Sequence, residues 1–204
     1  MTQVKICGIT SATDAQAALE AGADMLGFIF YPPSPRSITP EQARAIVACL
    51  PQDVTTVGVF VNESVDTVTC MARTSGVRMV QLHGTESPAL CAQVPWPVIK
   101  ALRFTAEVQP EIMGQYTVEA FLIEGFHPLL YGGGGVQADW HRVASLHHYG
   151  RLILAGGLQP ANVQEAIRIV RPYAVDVCSG VEATPGIKDW GKVRAFIQQA
   201  KTAL

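Results

Sequence analysis

Eight stretches rich in β-branched and apolar residues, each followed by a segment with helix-capping or helix-closing residues, predict an α/β protein that closes into a (β/α)8 TIM barrel. The strict strand-then-helix alternation requires a parallel sheet, and the unit length of roughly 25 residues suits a barrel at the small end of its size range. The stretch 24–30 reads as a continuous apolar run, as expected of a strand covered on both faces. A doubly wound open sheet is the runner-up, but it usually carries one dominant glycine fingerprint early in the chain. Here the glycine clusters come late, after the sixth, seventh and eighth strands. The 204 residues, 49% hydrophobic, show no linker or compositional break, so a single domain over 1–204 is expected.

The first strand lies in 4–10 (Val-Lys-Ile-Cys-Gly-Ile-Thr), ending at Cys7 where Gly8 allows a sharp turn. Ser11 caps a helix to about Ala21, closed by Gly22. A buried strand spans 24–30, and a proline-rich loop carries Arg36 to a helix opened by Thr39-Pro40 and running to about Leu50. A third strand is expected over 54–61, a helix over 64–74, a fourth strand over 78–83, a short helix over 87–93 and a fifth strand over 97–102. The signal over 105–117 is weak and reads as a short helix. The sixth strand spans 118–124; a glycine-rich loop, 132–135, leads to a helix near 139–147. The seventh strand (151–155), a helix from Pro160 to about Val170, the eighth strand (174–178) and a last helix over 190–200 complete the set.

The formal net charge of −2 gives no basic excess for nucleic acid, and no apolar run approaches the roughly 18 residues of a membrane span. The cysteines, Cys7, Cys49, Cys70, Cys91 and Cys178, are odd in number and form no CxxC pair, which argues against a disulfide framework or a zinc site. His127, His141, His147 and His148 have no metal-ligand spacing either. A reducing, cytoplasmic setting fits, and the chain is expected to carry no signal peptide, since it begins directly with a strand.

In such a barrel, chemistry collects where strands end and loops begin. That rule selects Cys7, His83, Arg103, Glu124, Asp176 and Cys178, with Arg36 in the second loop. Lys5 and Cys7 are two apart, so both point to one face of their strand, and a cation beside a thiol favours the thiolate. Cys7 is then a nucleophile or proton-transfer base; the alternative is a small buried apolar residue. Gly156-Gly157 and Ser179-Gly180 offer backbone N–H groups to an anion on adjacent loops, and so suggest a phosphorylated substrate. Each pair alone could equally make a tight turn. Arg36 presents a planar fork suited to carboxylate or phosphate, or is simply a solvated arginine. His83 could be a ligand, an acid or a satisfied core histidine.

Taken in order, Lys5-Ile-Cys-Gly-Ile-Thr10, Gly27-Phe-Ile-Phe30 with Ser34-Pro-Arg36, Val57-Gly-Val-Phe-Val61, Val80-Gln-Leu-His-Gly84, Ala155-Gly-Gly-Leu158, and Val175-Asp-Val-Cys-Ser-Gly-Val-Glu182 with Pro185-Gly-Ile-Lys-Asp189 resemble the phosphoribosylanthranilate isomerases over nearly the whole chain. The resemblance implies a (β/α)8 barrel of tryptophan biosynthesis. It implies an Amadori rearrangement by general acid and base, with no metal or organic cofactor, in a monomer or homodimer whose partner is a small phosphorylated substrate. It makes Cys7 the base and gives Arg36 the anthranilate carboxylate. The phosphate falls to Gly156, Gly157, Ser179 and Gly180, and His83 and Asp176 line the substrate site. The family has an aspartate at the end of strand six and a loop like Gly-Gly-Thr-Gly; this chain has Glu124 and Gly132-Gly-Gly-Gly135. Glu124 is the expected acid, one methylene longer; His127 as a substitute acid, or a changed substrate, are the other outcomes.

Overall fold

The computed structural model describes residues 1–104, 109–125 and 138–204, without the side chain of Phe104. The expected loop at 132–135 and His127 lie outside the described residues. Eight parallel strands close into a barrel in chain order: β1 (Gln3–Cys7), β2 (Met25–Ile29), β3 (Thr55–Phe60), β4 (Met79–Leu82), β5 (Val98–Phe104), β6 (Ala120–Gly125), β7 (Leu152–Leu154) and β8 (Ala174–Val177). Pairing of β8 with β1, Lys5 against Asp176 and Ile6 against Val177, closes the ring and rules out the open sheet.

The two-residue strand period divides each strand into an inward and an outward row. Met25, Val57, Ile99, Ala101, Ala120, Leu122, Ile153, Ala155 and Ala174 fill the barrel interior. Outward residues such as Val4, Ile6, Leu26, Phe28, Val80, Leu82 and Ile123 pack against the helices in a second, larger core. The inward rows continue upward into polar residues: Ala120 and Leu122 into Glu124, Ala174 into Asp176. The barrel therefore delivers its chemistry at the C-terminal strand ends.

Capping residues start the helices where expected. Ser11 accepts from the Asp14 amide at α1 (Ala12–Glu20), and Thr39 and Gln42 form a reciprocal capping box at α2 (Pro40–Val47). Ser64 caps α3 (Val65–Ser75), closed by Gly76 in the left-handed region, and Ser87 caps α4 (Pro88–Cys91). Between β5 and β6 the described residues hold a 3-10 turn, Pro110–Gln115, rather than an α-helix. Pro110 can only start a helix, and Gly114 weakens its propagation. The helix expected near 139–147 is α5 (Trp140–Ala144) running into a 3-10 turn, Ser145–Tyr149. α6 (Val163–Val170) begins three residues later than expected. Asn162 instead ties the preceding loop, accepting from the Gln159 amide and donating to the Gly157 carbonyl.

After β8 the chain makes a 3-10 turn, Ser179–Val181, and then a small antiparallel hairpin, β9 (Glu182–Thr184) and β10 (Ile187–Lys188), before α7 (Trp190–Lys201). The hairpin was not expected, although Pro185-Gly186 is a turn signal and Gly186 has φ +84°. No helix among the described residues is long and apolar enough to cross a membrane.

Candidate active site

One cavity, open at the C-terminal mouth of the barrel, is lined by Cys7, Arg36, His83, Glu124, Gly156, Gly157, Asp176, Ser179 and Gly180 together. Cys178 lines it too; Arg103, at the end of β5, is not among its lining residues.

Lys5 is fully buried below the cavity and donates to Asp176 Oδ1 at 2.7 Å, across the β1–β8 pairing. Burial works to lower its pKa, but Asp176 and Cys7 outweigh burial and hold the ammonium above its ordinary range. Cys7 sits one inward position higher. Its thiol is lowered to about 6, first by a hydrogen bond from Cys178 and then, against the opposing effect of burial, by the Lys5 charge. Gly27 on β2 makes the room: it pairs with Cys7, and a Cβ there would lie 2.7 Å from Cys7 Sγ and 3.0 Å from Lys5 Nζ. Gly8, at φ +72°, turns the chain away beneath Cys178, where a Cβ would come within 2.8 Å of Cys178 Sγ.

Across the cavity, Glu124 Oε1 lies 2.8 Å from His83 Nε2, and Gln81 Nε2 lies 2.7 Å from His83 Nδ1. With the amide nitrogen facing Nδ1, Nδ1 accepts and Nε2–H donates to Glu124; with the amide turned over, both bonds reverse. All three side chains are buried. Gln81 Oε1 has no hydrogen-bond partner among the described residues. His83 thus both contacts Glu124 and lines the cavity.

Arg36 is clamped from behind. Its Nε donates to Glu182 Oε1 at 2.8 Å and Nη2 to Oε2 at 2.7 Å, which leaves the Nη1 edge of the fork unengaged by Glu182. Burial works to raise the Glu182 pKa, but Arg36 and Lys188 overcome it and hold the carboxyl below its ordinary range. Lys188, also buried, donates to Glu182 Oε1 at 3.0 Å and to the Cys7 carbonyl at 2.6 Å. The hairpin β9–β10 thereby bolts the second loop and the end of β1 together.

Gly156 and Gly157 have φ of +83° and +65°, which orients successive amides of the seventh loop differently from a regular strand or helix. A Cβ on Gly180 would fall 2.0 Å from the Leu158 carbonyl, so only glycine lets the seventh and eighth loops meet.

Sequence reasoning missed Gln81, Glu182 and Lys188 as working residues, and Gly27 as a spacer. Gln81 was readable as the inward residue two before His83. Glu182 and Lys188 needed the hairpin.

The family model described as N-(5'phosphoribosyl)anthranilate (PRA) isomerase matches residues 4–199. An N-(5'-phosphoribosyl)anthranilate isomerase of Geobacter metallireducens is 49% identical, covering 98% of this chain and 100% of the relative. The crystal structure of the phosphoribosyl anthranilate isomerase of Thermus thermophilus superposes with TM-score 0.91 at 39% identity, over 98% of this chain and 99% of the other. A phosphoribosyl anthranilate isomerase in complex with reduced 1-(o-carboxyphenylamino)-1-deoxyribulose 5-phosphate gives TM-score 0.86 at 41% identity, over 98% and 99%.

Proposed function

The chain belongs to the N-(5'-phosphoribosyl)anthranilate isomerase family, and from that footing we propose how its own residues divide the work. It is an isomerase of tryptophan biosynthesis: it converts N-(5-phosphoribosyl)anthranilate to 1-(2-carboxyphenylamino)-1-deoxyribulose 5-phosphate by an Amadori rearrangement.

Cys7 is the base and Glu124 the acid. Glu124 protonates the furanose ring oxygen; the C1′–O bond breaks and the substrate opens to a Schiff base. The Cys7 thiolate then removes the C2′ proton, giving an enolamine that passes to the ketone. The observation that carries this reading is that a thiol lowered to about 6 and a buried carboxyl face one cavity from opposite sides. A base with a pKa just below working pH is ionised yet still basic enough to accept a proton.

Glu124 must hold a proton to act as the acid, and the Gln81–His83–Glu124 chain supplies a way. With the Gln81 amide turned over, Oε1 accepts from Nδ1–H, and Nε2 accepts from the Glu124 carboxyl O–H. Turning the amide pairs Gln81 Oε1 with His83 Nδ1–H and puts the amide N–H groups where Oε1 had no partner. His83 also fixes the longer side chain in place of the family's aspartate.

The anthranilate carboxylate goes to the remaining edge of the Arg36 fork, and the phosphate to the amides of Gly156, Gly157, Ser179 and Gly180. Asp176 orients Lys5 beneath Cys7. The enzyme uses no metal or organic cofactor and works in the cytoplasm, as a monomer or a homodimer in one domain; a thiolate base is best kept where thiols stay reduced.

The test is steady-state turnover, followed by loss of substrate fluorescence, for wild type, Cys7→Ser, Glu124→Gln and Glu124→Asp. Cys7→Ser and Glu124→Gln each lower kcat by about 10²- to 10⁴-fold, the usual worth of general acid or base catalysis. Glu124→Asp retains measurable turnover because the carboxyl is kept. Full activity in either of the first two variants overturns its residue's assignment.

A further inference from the structure

Cys178 has no step in this mechanism, yet it lines the same cavity as Cys7, the two thiols shift each other's pKa, and its Sγ lies 3.8 Å from Glu182 Oε1. The β1–β8 register runs through Ile6 against Val177; Cys7 ends β1, and Cys178 directly follows β8 at the start of the Ser179–Val181 turn, so the two cysteines come next after the last paired residues. Paired strands lie about 4.8 Å apart. That separation falls within the roughly 4.4–6.8 Å between Cα atoms that a disulfide bridges. Neither thiol is tied into a disulfide with another cysteine, and Gly8 and Gly27 leave both sulfurs space in which a Cβ would collide with them.

We propose that Cys7 and Cys178 form a dithiol modification site that a hydroperoxide converts to an intramolecular disulfide, reversibly removing the catalytic base. The inference rests on the reading of Cys7 as that base. The Cys7 thiolate attacks the distal peroxide oxygen: an S–O bond forms, the O–O bond breaks, and the alkoxide leaves as an alcohol after taking a proton. Cys7 is oxidised to the sulfenic acid and the peroxide is reduced. The Cys178 sulfur then attacks the Cys7 sulfur: the S–S bond forms, the S–O bond breaks, and water leaves with the Cys178 proton. Two thiols and one hydroperoxide give one disulfide, one alcohol and one water.

The surroundings suit both steps. In the resting enzyme the hydrogen bond to Cys7 and burial hold the Cys178 thiol well above its ordinary value, so one thiolate exists at a time. Oxidation of Cys7 to an uncharged sulfenic acid removes that repulsion. The Cys178 thiol donates to Glu182 Oε1 at 3.8 Å, and Lys188 Nζ, 4.0 Å from Sγ, and Arg36 favour the thiolate as that proton leaves. Cys91 makes the contrast: buried beside Glu86 and Lys100, its thiol is pushed up, chiefly by burial.

The test treats the whole protein with hydrogen peroxide and maps unreduced peptides by mass spectrometry alongside turnover. Expected is a loss of two hydrogens, a peptide joining Cys7 to Cys178, turnover lost in proportion to the cross-linked fraction, and recovery of both with dithiothreitol. Cys178→Ser, read by mass rather than by rate, instead gains oxygen at Cys7 that dithiothreitol does not remove once sulfinic acid forms. Failure of the wild type to cross-link, or a link through Cys49, Cys70 or Cys91, overturns the proposal while leaving the Cys7→Ser result, and so the base assignment, intact. A Cys7–Cys178 link that spares turnover overturns both.

Discussion

Lys5 and Lys100 are both buried, each 2.7 Å from a carboxylate, and they serve opposite ends. Lys100 points outward from β5. It donates to Glu86 Oε2 and to the carbonyls of Leu82 and Gly84, at 3.2 and 2.8 Å, so its three protons all have oxygen partners. Glu86 in turn accepts from the amides of Asn62 and Gly84. The result is a knot joining the ends of β3, β4 and β5. Lys5 points inward from β1, and among the described residues its one oxygen partner is Asp176; the Cys7 sulfur takes the other contact. A buried ammonium saturated by oxygen is structure. One that shares its field with a thiol helps to lower the pKa of that thiol, and on the mechanism proposed above that makes it chemistry.

The largest effect should come from breaking the saturated pair. Lys100→Met leaves Glu86 buried without its counter-charge and lowers stability by about 3–5 kcal/mol, measured by urea unfolding. Adding Glu86→Gln recovers part of that loss, because the amide oxygen can still accept from Asn62 and Gly84. In both variants the pH–rate profile of the folded fraction keeps its acid limb. A moved limb would mean that the two lysines are not separate in role.

Lys5→Met tests the other half. Removing the cation raises the Cys7 pKa from about 6, so the thiolate, the active form, appears at higher pH and the acid limb of kcat/KM moves up. A thiol returned to the ordinary value of about 8.5 is only about 3% ionised at pH 7, so the loss there is up to about 30-fold and shrinks as pH rises. Cys178 keeps part of the shift, since its hydrogen bond is the larger cause. Pairing Lys5→Met with Asp176→Asn removes the stranded carboxylate and restores stability, but leaves the acid limb displaced. An unmoved limb in the double variant would show that Lys5 is as structural as Lys100.

The same contrast sets how far the sequence could be read. Barrel strands and most helices were legible because each carries its own local signal: apolar runs for β2 and β3, Ser or Thr caps for α1 to α4. Cys7 and Lys5 were legible as a pair because a strand puts residues two apart on one face. Lys100 has the same local look, an apolar-flanked lysine in a strand, and nothing in its neighbours reveals Glu86, which comes from the next loop over. Glu182 and Lys188 stayed hidden for a related reason. Their roles come from a hairpin that meets Arg36, 146 positions earlier in the chain, and no spacing rule spans that distance. Where the chain departs from local rules, as in the 3-10 turn over Pro110–Gln115, proline and glycine override the helical expectation.

The smallest effect tests whether the third buried cation cluster belongs with Lys100 or with Lys5. Glu182 is shared by Arg36 and Lys188, so it is saturated as Glu86 is, yet the residue it holds faces the cavity. Glu182→Gln keeps one acceptor oxygen and loses the two-oxygen clamp, freeing the Arg36 fork to swing. Loss of one charge-assisted hydrogen bond, about 1.5 kcal/mol, predicts roughly tenfold weaker binding of the reduced product analogue, with kcat changed by no more than about twofold. The sign with pH follows from the lowered Glu182 pKa. A depressed carboxylate holds its clamp at every pH above the ordinary carboxylate value and loses it only as pH falls through its own lower one, so analogue affinity in the wild type attributable to the clamp persists below the pH at which an exposed glutamate would titrate. If Glu182→Gln instead lowers kcat with affinity unchanged, the clamp acts on Cys7 through Lys188, whose ammonium reaches the Cys7 carbonyl, and the cluster belongs with the chemistry of Lys5.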